Sequence, residues 1–211
     1  MAKIPNQILI ASNNQGKIKE ISELISHLTI TALAPKDCKE LQSFEEPEEG
    51  GQTFAENSLI KAKFYSQKAQ LPALADDSGF CVVDLNNEPG IHSARFAIND
   101  NGEKDFPGAF DKIFDQLKHK NIEVSSAKAF FICNLTYYDP ATKFTISFEG
   151  RVDGTICKPI GDKGFGYDPI FIKNDMSNSF AEIDPAEKEK ISHRGIAFQQ
   201  FKDWLEGLNG Q

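Results

Sequence analysis

Apolar residues change from strand-like runs to helix-like spacing in the first third of the chain. The run QILIAS, residues 7–12, is followed by polar NNQGK and then by apolar residues three or four positions apart, such as Ile18, Ile21 and Ile25. This pattern predicts a strand, a turn and an amphipathic helix. A second apolar run, ITALAP, completes a predicted βαβ unit, whose strands are usually parallel.

An acidic loop, SFEEPEEGGQ, separates this unit from a second predicted helix. Pro47, Gly50 and Gly51 exclude regular structure from the loop. Thr53 and Glu56 then have the spacing of a capping box, which predicts a helix start. We therefore predict a helix over FAENSLIKAKFYSQKAQ.

The remaining pattern predicts a mixed sheet with further helices. ALA, DDSG and FCVVDL predict two strands joined by a tight turn, and DFPGAFDKIFDQLKH has the apolar spacing of a helix. AKAFFICNLTYY and KFTISFEGRVDGTI predict a hairpin closed by DPAT, so the sheet is not purely parallel. IFIK predicts a short strand, Asp184 and Pro185 mark a helix start, and Phe201, Trp204 and Leu205 lie on the buried stripe of a final helix.

Composition narrows the class of protein. The 211 residues suit one domain, or one domain in two lobes, and 17 phenylalanines can fill its core. The net charge of −8 argues against binding to nucleic acid or an anionic membrane surface. With no membrane-spanning run or secretory signal, and no C-x-x-C among the four cysteines, we expect a cytoplasmic protein with buried reduced thiols.

The stretch SNNQGK, at the change from strand to helix, is a candidate phosphate site. The first N–H groups of a helix favour an anion, and Lys17 adds a positive charge. The stretch lacks the glycine and hydroxyl of a Walker A loop and the glycines of a dinucleotide-binding loop. The alternative is an asparagine-capped helix with a solvated lysine.

Asp76 and Asp77 stand side by side after an apolar run, where like charges repel. They fit either a polar hairpin turn or a Mg²⁺ site completed by glutamates of the EEPEEGG segment. A cluster of carboxylates also raises at least one pKa, as a general base near neutral pH requires. The glutamates alone are equally consistent with a solvated loop.

Three further groups have a functional and a structural interpretation. Lys61 shares a helix face with Asn57 but is equally consistent with a surface lysine. GFGYDPIF offers an aromatic face and a carboxylate to a purine ring, or is a glycine turn with a core phenylalanine. KISHRG brings His193 and Arg194 to a helix start, although such a pair commonly lies on the surface.

Seven stretches, taken together and in order, resemble the inosine triphosphate pyrophosphatase family. They are SNNQGK, TFAENSLIKA, ALADDSGF, PGIHSARF, FEGRVDG, GFGYDPIF and EKISHRG, and they extend from Ser12 to Gly195. Each motif is weak alone, but the ordered set is specific. The resemblance implies an α/β fold with an elongated mixed sheet flanked by helices, one nucleotide pyrophosphatase domain over residues 1–211 with two lobes and a central cleft, and a homodimer.

The resemblance also implies site residues. It assigns Mg²⁺ to Glu48 and Asp77, with Glu49 and Asp76 as close neighbours and with Glu45, Glu46 and Glu49 as alternatives in the loop. It makes Asp77 the candidate base and Lys61 a catalytic residue that, with Lys17, neutralises the leaving group. It assigns the triphosphate to Ser12, Asn13, Asn14, Gln15, Gly16 and Lys17. It assigns the rest of the substrate, mainly the base, to Ser78, Phe165, Gly166, Tyr167, Asp168, Lys188, Ser192, His193 and Arg194.

The implied reaction is hydrolysis of ITP, dITP and XTP to a nucleoside monophosphate and pyrophosphate, which removes deaminated purines from the nucleotide pool. Water activated by Asp77 would attack the α-phosphorus, and Arg194 or His193 would donate to the 6-oxygen of the base. Two alternatives remain. One is a regulatory module that binds nucleotides without chemistry, and the other is a related pyrophosphatase for other altered nucleotides, such as dUTP.

Overall fold

Seven strands and six α-helices form the part of the chain that the computed structural model describes, residues 5–41 and 46–209. The strands are β1 Gln7–Ile10, β2 Thr31–Leu33, β3 Ala73–Val82, β4 Glu88–Pro89, β5 Lys128–Tyr138, β6 Thr145–Ile156 and β7 Phe171–Lys173. The helices are α1 Gln15–Ile25, α2 Phe54–Ala69, α3 Ser93–Phe96, α4 Phe106–His119, α5 Pro185–Ile191 and α6 His193–Asn209. Short 3-10 segments occupy Pro35–Asp37, Lys39–Leu41, Val83–Leu85, Gly90–His92, Val124–Ser126 and Asp168–Ile170.

The first strands and helix form the predicted βαβ unit. β1 pairs with β2 in parallel, with Gln7 opposite Thr31. The Asn14 side chain caps α1 by accepting hydrogen bonds from the backbone N–H groups of Gly16 and Lys17. An asparagine cap satisfies helix N–H groups that otherwise have no partner, which explains why the helix begins directly after NN.

All seven strands belong to one mixed sheet. The order is β2-β1-β3-β5-β6-β7, and β4 pairs with β3. β1 is parallel to both β2 and β3, whereas β3–β4 and β6–β7 are antiparallel. The predicted α/β fold with a mixed sheet is therefore confirmed.

The tight turn predicted at DDSG is wrong, because these residues lie within the ten-residue strand β3. Asp76 and Asp77 are buried there. Turn-forming residues can occupy a strand when other contacts satisfy their side chains. Those contacts, described below, involve charged groups that are distant in sequence.

The chain forms two compact units. Unit 1 contains residues 1–77, 133–150 and 194–211, and unit 2 contains residues 78–132 and 151–193. The central cleft expected from the family resemblance stays a prediction.

The core of unit 1 lies on both faces of β1. Ile8 and Ile10 belong to one apolar cluster with residues of α1 and α6, such as Ile21 and Phe201. Leu9 and Ala11 point the other way, into a second cluster that includes Tyr65 of α2. Alternation along one strand thus buries a helix on each side of it.

Aromatic rings fill much of the core of unit 2. The ring of Phe80 lies 5.1 Å from Phe131 and stacks 5.1 Å from Tyr167. Phe171 makes an edge contact with Phe131 at 4.9 Å and with Phe180 at 5.0 Å. Offset and edge contacts of this kind stabilise aromatic cores, which gives the high phenylalanine content a structural role.

The cysteines are free thiols, and Cys38, Cys81 and Cys133 are buried as expected, while Cys157 is partly exposed. Burial raises the pKa of Cys81 to about 12, so this thiol is protonated and unreactive near neutral pH. Across residues 5–41 and 46–209, no helix is long and apolar enough to cross a membrane.

We predict that Phe201→Ala lowers the free energy of unfolding by about 3–5 kcal/mol, because it removes a fully buried ring. Phe144→Ala is the matched control. Phe144 is 36% exposed and stacks on Trp204, so its loss should cost about 0.5–1.5 kcal/mol. Urea unfolding monitored by circular dichroism measures both values. Equal losses would contradict this description of the core.

Candidate active site

Asp76 is neutralised inside unit 1 by two cations. Its carboxylate forms an ion pair with Lys17 of α1 and accepts a hydrogen bond from Nε of Arg194 at 2.7 Å. The Cys133 thiol donates to the same carboxylate at 3.2 Å, and Lys17 Nζ also donates to the Asp76 carbonyl at 3.3 Å. A fully buried carboxylate requires such partners, since an isolated charge in the interior is very costly.

Arg194 joins the start of α6 to both Asp76 and α1. Its Nη1 pairs with Glu20, and its side chain is only 3% exposed. Burial lowers the pKa of Arg194, but the carboxylates of Asp76 and Glu20 raise it by more, so the guanidinium stays charged. In this structure, Arg194 therefore binds two carboxylates of unit 1.

Asp77 is held differently from its neighbour. Its Oδ1 accepts a hydrogen bond from Lys61 Nζ at 2.7 Å, whereas its buried Oδ2 has no hydrogen-bond partner among the residues that the structure describes. Burial raises the pKa of Asp77, and the positive charges of Lys61 and Lys17 offset only part of this rise. The result is a carboxylate with one oxygen available and an enhanced basicity.

Lys61 connects Asp77 to the acidic loop. Besides Asp77, it forms an ion pair with Glu49 at 3.0 Å. Burial lowers the pKa of Lys61, but the carboxylates of Asp77 and Glu49 raise it by more. The Lys61 side chain is 13% exposed, whereas Lys63 of the same helix is exposed, so Lys61 belongs to the site and Lys63 to the surface.

The helix α2 that carries Lys61 begins with the predicted capping box. The Thr53 hydroxyl accepts from the Glu56 N–H, and the Glu56 carboxylate accepts from the Thr53 N–H, both at 3.1 Å. This cap fixes where the helix begins and hence which residues face Asp77.

The acidic loop brings Glu49 to Lys61, while Glu48 is exposed. Glu46 accepts a long hydrogen bond of 3.4 Å from the Tyr65 hydroxyl. Glu45 lies outside the described residues. The predicted convergence of the loop with the aspartate pair is thus found through Glu49.

The loop before α1 has the asparagine cap of one interpretation of SNNQGK, and the phosphate site of the other stays a prediction. Asn14 caps the helix, and the Ser12 hydroxyl accepts from the Asn14 N–H at 3.1 Å. Lys17 is not solvated but pairs with Asp76 at 15% exposure. Asn13 and Gln15 are exposed, and Gly16 is half-buried. The loop therefore has accessible polar groups beside a lysine fixed next to Asp76.

The donors suit a hard divalent cation that also binds substrate. Within residues 5–41 and 46–209, no three His, Cys, Asp or Glu side chains form a metal-binding group. Mg²⁺ usually takes only one or two protein carboxylates, with water and phosphate oxygens completing its coordination. Asp77, with its unpartnered Oδ2, and Glu49, on the same lysine, meet that requirement.

In unit 2, the glycines of GFGYD allow a loop that wraps around Asp168. Gly164 and Gly166 have φ of +72° and +71°, a backbone conformation that residues with a side chain rarely adopt. The Asp168 carboxylate accepts from the Phe165 N–H at 2.8 Å and from Lys188 Nζ at 2.6 Å. Lys188 Nζ also lies 5.1 Å from the centre of the Phe165 ring.

The other predicted residues of unit 2 are mostly buried. Tyr167 stacks on Phe80 and donates its hydroxyl to the Ser93 carbonyl at 2.9 Å, so it supports the loop from the core. His193 is 4% exposed and stacks 4.8 Å from Phe131. Ser192 is buried at the end of α5, and Ser78 is half-buried.

Sequence reasoning missed Glu20 and Cys133. Glu20 lies three residues after Lys17 on one helix face, a spacing that could have indicated a shared site. Cys133 lies within an apolar strand and has no local signal for a contact with Asp76. Such contacts depend on strand order, which the sequence pattern does not give.

Comparison with known proteins gives matches over nearly the whole chain. Residues 8–204 match the model of the Ham1 family. A dITP/XTP pyrophosphatase of Zymomonas mobilis is 42% identical over 199 residues, which cover 93% of this chain and 90% of the relative. One from Leptospira interrogans is 40% identical over 205 residues, with 94% and 96% covered.

Solved structures of Ham1 proteins match the fold of this chain. A HAM1 protein from Coxiella burnetii has a TM-score of 0.82 and 34% identity, over 95% of this chain and 98% of that one. The Staphylococcus aureus Ham1 protein has a TM-score of 0.80 and 33% identity, with the same coverage.

We predict that substitution of the two adjacent aspartates changes stability by very different amounts. Asp76→Asn leaves buried Lys17 and Arg194 without their shared carboxylate and should lower the free energy of unfolding by about 3–5 kcal/mol. Asp77→Asn removes a charge that burial disfavours, so its effect should stay within about 1 kcal/mol. Denaturant unfolding of both variants measures this, and equal losses would contradict the divided roles.

Proposed function

The chain belongs to the Ham1 family, and we propose that it hydrolyses the deaminated purine nucleotides dITP, ITP and XTP to nucleoside monophosphates and pyrophosphate. The family resemblance of the seven motifs is confirmed by this membership. The observation that carries the proposal is Asp77, a buried carboxylate with one oxygen fixed by Lys61 and the other unpartnered among the described residues.

The proposed cofactor is Mg²⁺, held by Asp77 and one glutamate of the acidic loop. The sequence favours Glu48, but the contact with Lys61 supports Glu49 instead. When bound, the ion would neutralise phosphate charge and orient the triphosphate. Because Lys61 contacts both carboxylates, it brings a positive charge to the same place.

In the proposed step, the Asp77 carboxylate accepts a proton from water while the water oxygen forms a bond to the α-phosphorus. The bond between the α-phosphorus and the bridging oxygen breaks, and that oxygen leaves with pyrophosphate. In the metal-free chain, burial raises the pKa of Asp77, so its carboxylate is there a stronger base than that of an exposed aspartate.

Cations near Asp77 support the departure of pyrophosphate. Lys61 contacts Asp77, and Lys17 contacts Asp76, so both ammonium groups are held in place before substrate arrives. Groups fixed in advance lower the barrier, because they need not reorganise as charge develops. Ser12, Asn13, Asn14, Gln15 and Gly16 are proposed to bind the phosphates through the loop and the start of α1.

The base is proposed to bind at the GFGYD loop and its neighbours Ser78, Ser192 and His193. Phe165 supplies the ring, and the Asp168–Lys188 pair fixes the loop conformation. A donor to the 6-oxygen would discriminate against adenine, whose 6-amino group cannot accept. His193 is the preferred donor, since Arg194 already binds Asp76 and Glu20.

The wider role proposed is removal of deaminated purine nucleotides in the cytoplasm, by an enzyme that acts on a small molecule and forms a homodimer. The net charge of −8 favours neither nucleic acid nor membrane as a partner. The dimer rests on the family resemblance.

We predict that ITP, dITP and XTP release pyrophosphate, not orthophosphate, in the presence of Mg²⁺, at rates at least tenfold above those for GTP, ATP and dUTP. Chelation of the metal by EDTA should abolish release, and added Mg²⁺ should restore it. The assay measures both phosphates separately. No release from any nucleotide would favour a binding module, and preference for dUTP would favour a related pyrophosphatase.

We predict that Asp77→Asn lowers kcat by at least 100-fold while nucleotide binding, measured by calorimetry, changes little. In H₂¹⁸O, the wild-type product should carry the label in the monophosphate, because water attacks the α-phosphorus. Label in pyrophosphate would place the attack at the β-phosphorus. Near-normal turnover of Asp77→Asn would contradict the assignment of the base.

A further inference from the structure

Asn57 on α2 has half of its hydrogen-bonding capacity unused. The residue is fully buried, and its Oδ1 accepts a hydrogen bond from the Gly51 N–H at 2.9 Å. Its Nδ2 is buried and has no hydrogen-bond partner among the described residues. The Gly51 N–H fixes the orientation of the amide, because only the oxygen can accept this bond.

Stability of the fold does not explain this arrangement. A buried donor without a partner loses its bonds to water and gains none in return. A leucine, which branches at the same carbon but has no polar atoms, would avoid that loss at the same position. A residue that is unfavourable for stability at a buried position beside a site is a candidate for a functional role.

Asn57 fixes the same loop that Lys61 contacts. The two side chains lie one turn apart on α2, and Lys61 pairs with Glu49 while Asn57 holds Gly51. The Glu56 carboxylate accepts from the Gln52 N–H at 2.6 Å. The loop is thus fixed on both sides of Gly50.

Gly51 has no space for a side chain. A Cβ atom there would lie 2.6 Å from Asn57 Oδ1 and 2.7 Å from Glu56 Cβ. At Gly50, a Cβ atom would meet nothing within 4 Å. Of the two glycines, Gly51 therefore lies directly against Asn57 and Gly50 does not, so a change on either side of the Gly51 contact should move the backbone that carries Glu49.

We infer that Asn57 is a positioning residue, which holds the loop through Gly51 so that Glu49 lies on Lys61 beside Asp77. This inference rests on the proposed metal-binding role of Asp77 and Glu49. Asn57 affects metal affinity through the position of Glu49 and does not itself bind the metal.

The test is Mn²⁺ binding to the full chain without nucleotide, measured by electron paramagnetic resonance of the free ion. Asn57→Ala should weaken binding about tenfold or more, as changes behind metal ligands commonly do. Gly51→Ala should do the same from the other side of the contact. The melting temperature of Asn57→Leu should equal or exceed that of the wild type.

The matched controls are Gly50→Ala and Gln67→Ala, an exposed position of α2. Neither should change Mn²⁺ affinity.

A double variant separates positioning from a general structural effect. In the background of Glu49→Gln, Asn57→Ala should cause no further loss, because the residue through which it acts is already absent.

Wild-type affinity of both Asn57→Ala and Gly51→Ala would overturn the inference, as would a full additional loss in the Glu49→Gln background. If Asn57→Ala does not fold, the Mn²⁺ affinities of Gly51→Ala and Gly50→Ala are compared instead, and equal affinities would overturn the inference. A different result would show that the proposed metal site itself is wrong: the wild type would fail to bind Mn²⁺, or Asp77→Asn would bind it normally. Either result would overturn both the metal site and the role of Asn57.

Discussion

Neutralisation of Asp76 within β3 is the interaction on which the site depends. Lys17 and Arg194 come from α1 and α6, and both bind this one carboxylate. Two adjacent aspartates in a buried strand would otherwise repel each other and lose their solvation. Because Asp76 is fully paired, the strand continues through DDSG. Asp77 then pairs with Lys61 through Oδ1, and its Oδ2 has no hydrogen-bond partner among the described residues.

The division of roles between the two aspartates has physical consequences for catalysis. Asp76 has partners on both carboxylate oxygens, whereas Asp77 offers Oδ2. Lys61 holds the other oxygen and links it to Glu49, whose loop is fixed by Asn57 through Gly51. The site therefore combines a buried ion-pair network around Asp76 with the carboxylates of Asp77 and Glu49, which share Lys61. Its residues come from α1, α2, α6, β3 and the acidic loop.

Much of the fold could be predicted from local patterns, and much of the site could not. The βαβ unit, the capping box at Thr53 and the final helix follow from periodicity and caps, which are local properties. The turn predicted at DDSG was wrong, because its residues are satisfied by Lys17, Lys61 and Arg194, which local reasoning does not include. For the same reason, the contact of Arg194 with Glu20 and that of Lys61 with Glu49 required the tertiary structure.

The most direct test of the account is a crystal structure of the chain with Mg²⁺ and an α,β-imido analogue of dITP. The ion should lie about 2.0–2.1 Å from an oxygen of Asp77, with Glu49 as the nearest loop glutamate. Asp76 should still bind Lys17 or Arg194 and should not contact the metal. An ion ligated by Asp76, with Asp77 remote from it, would contradict the division of roles between the two aspartates.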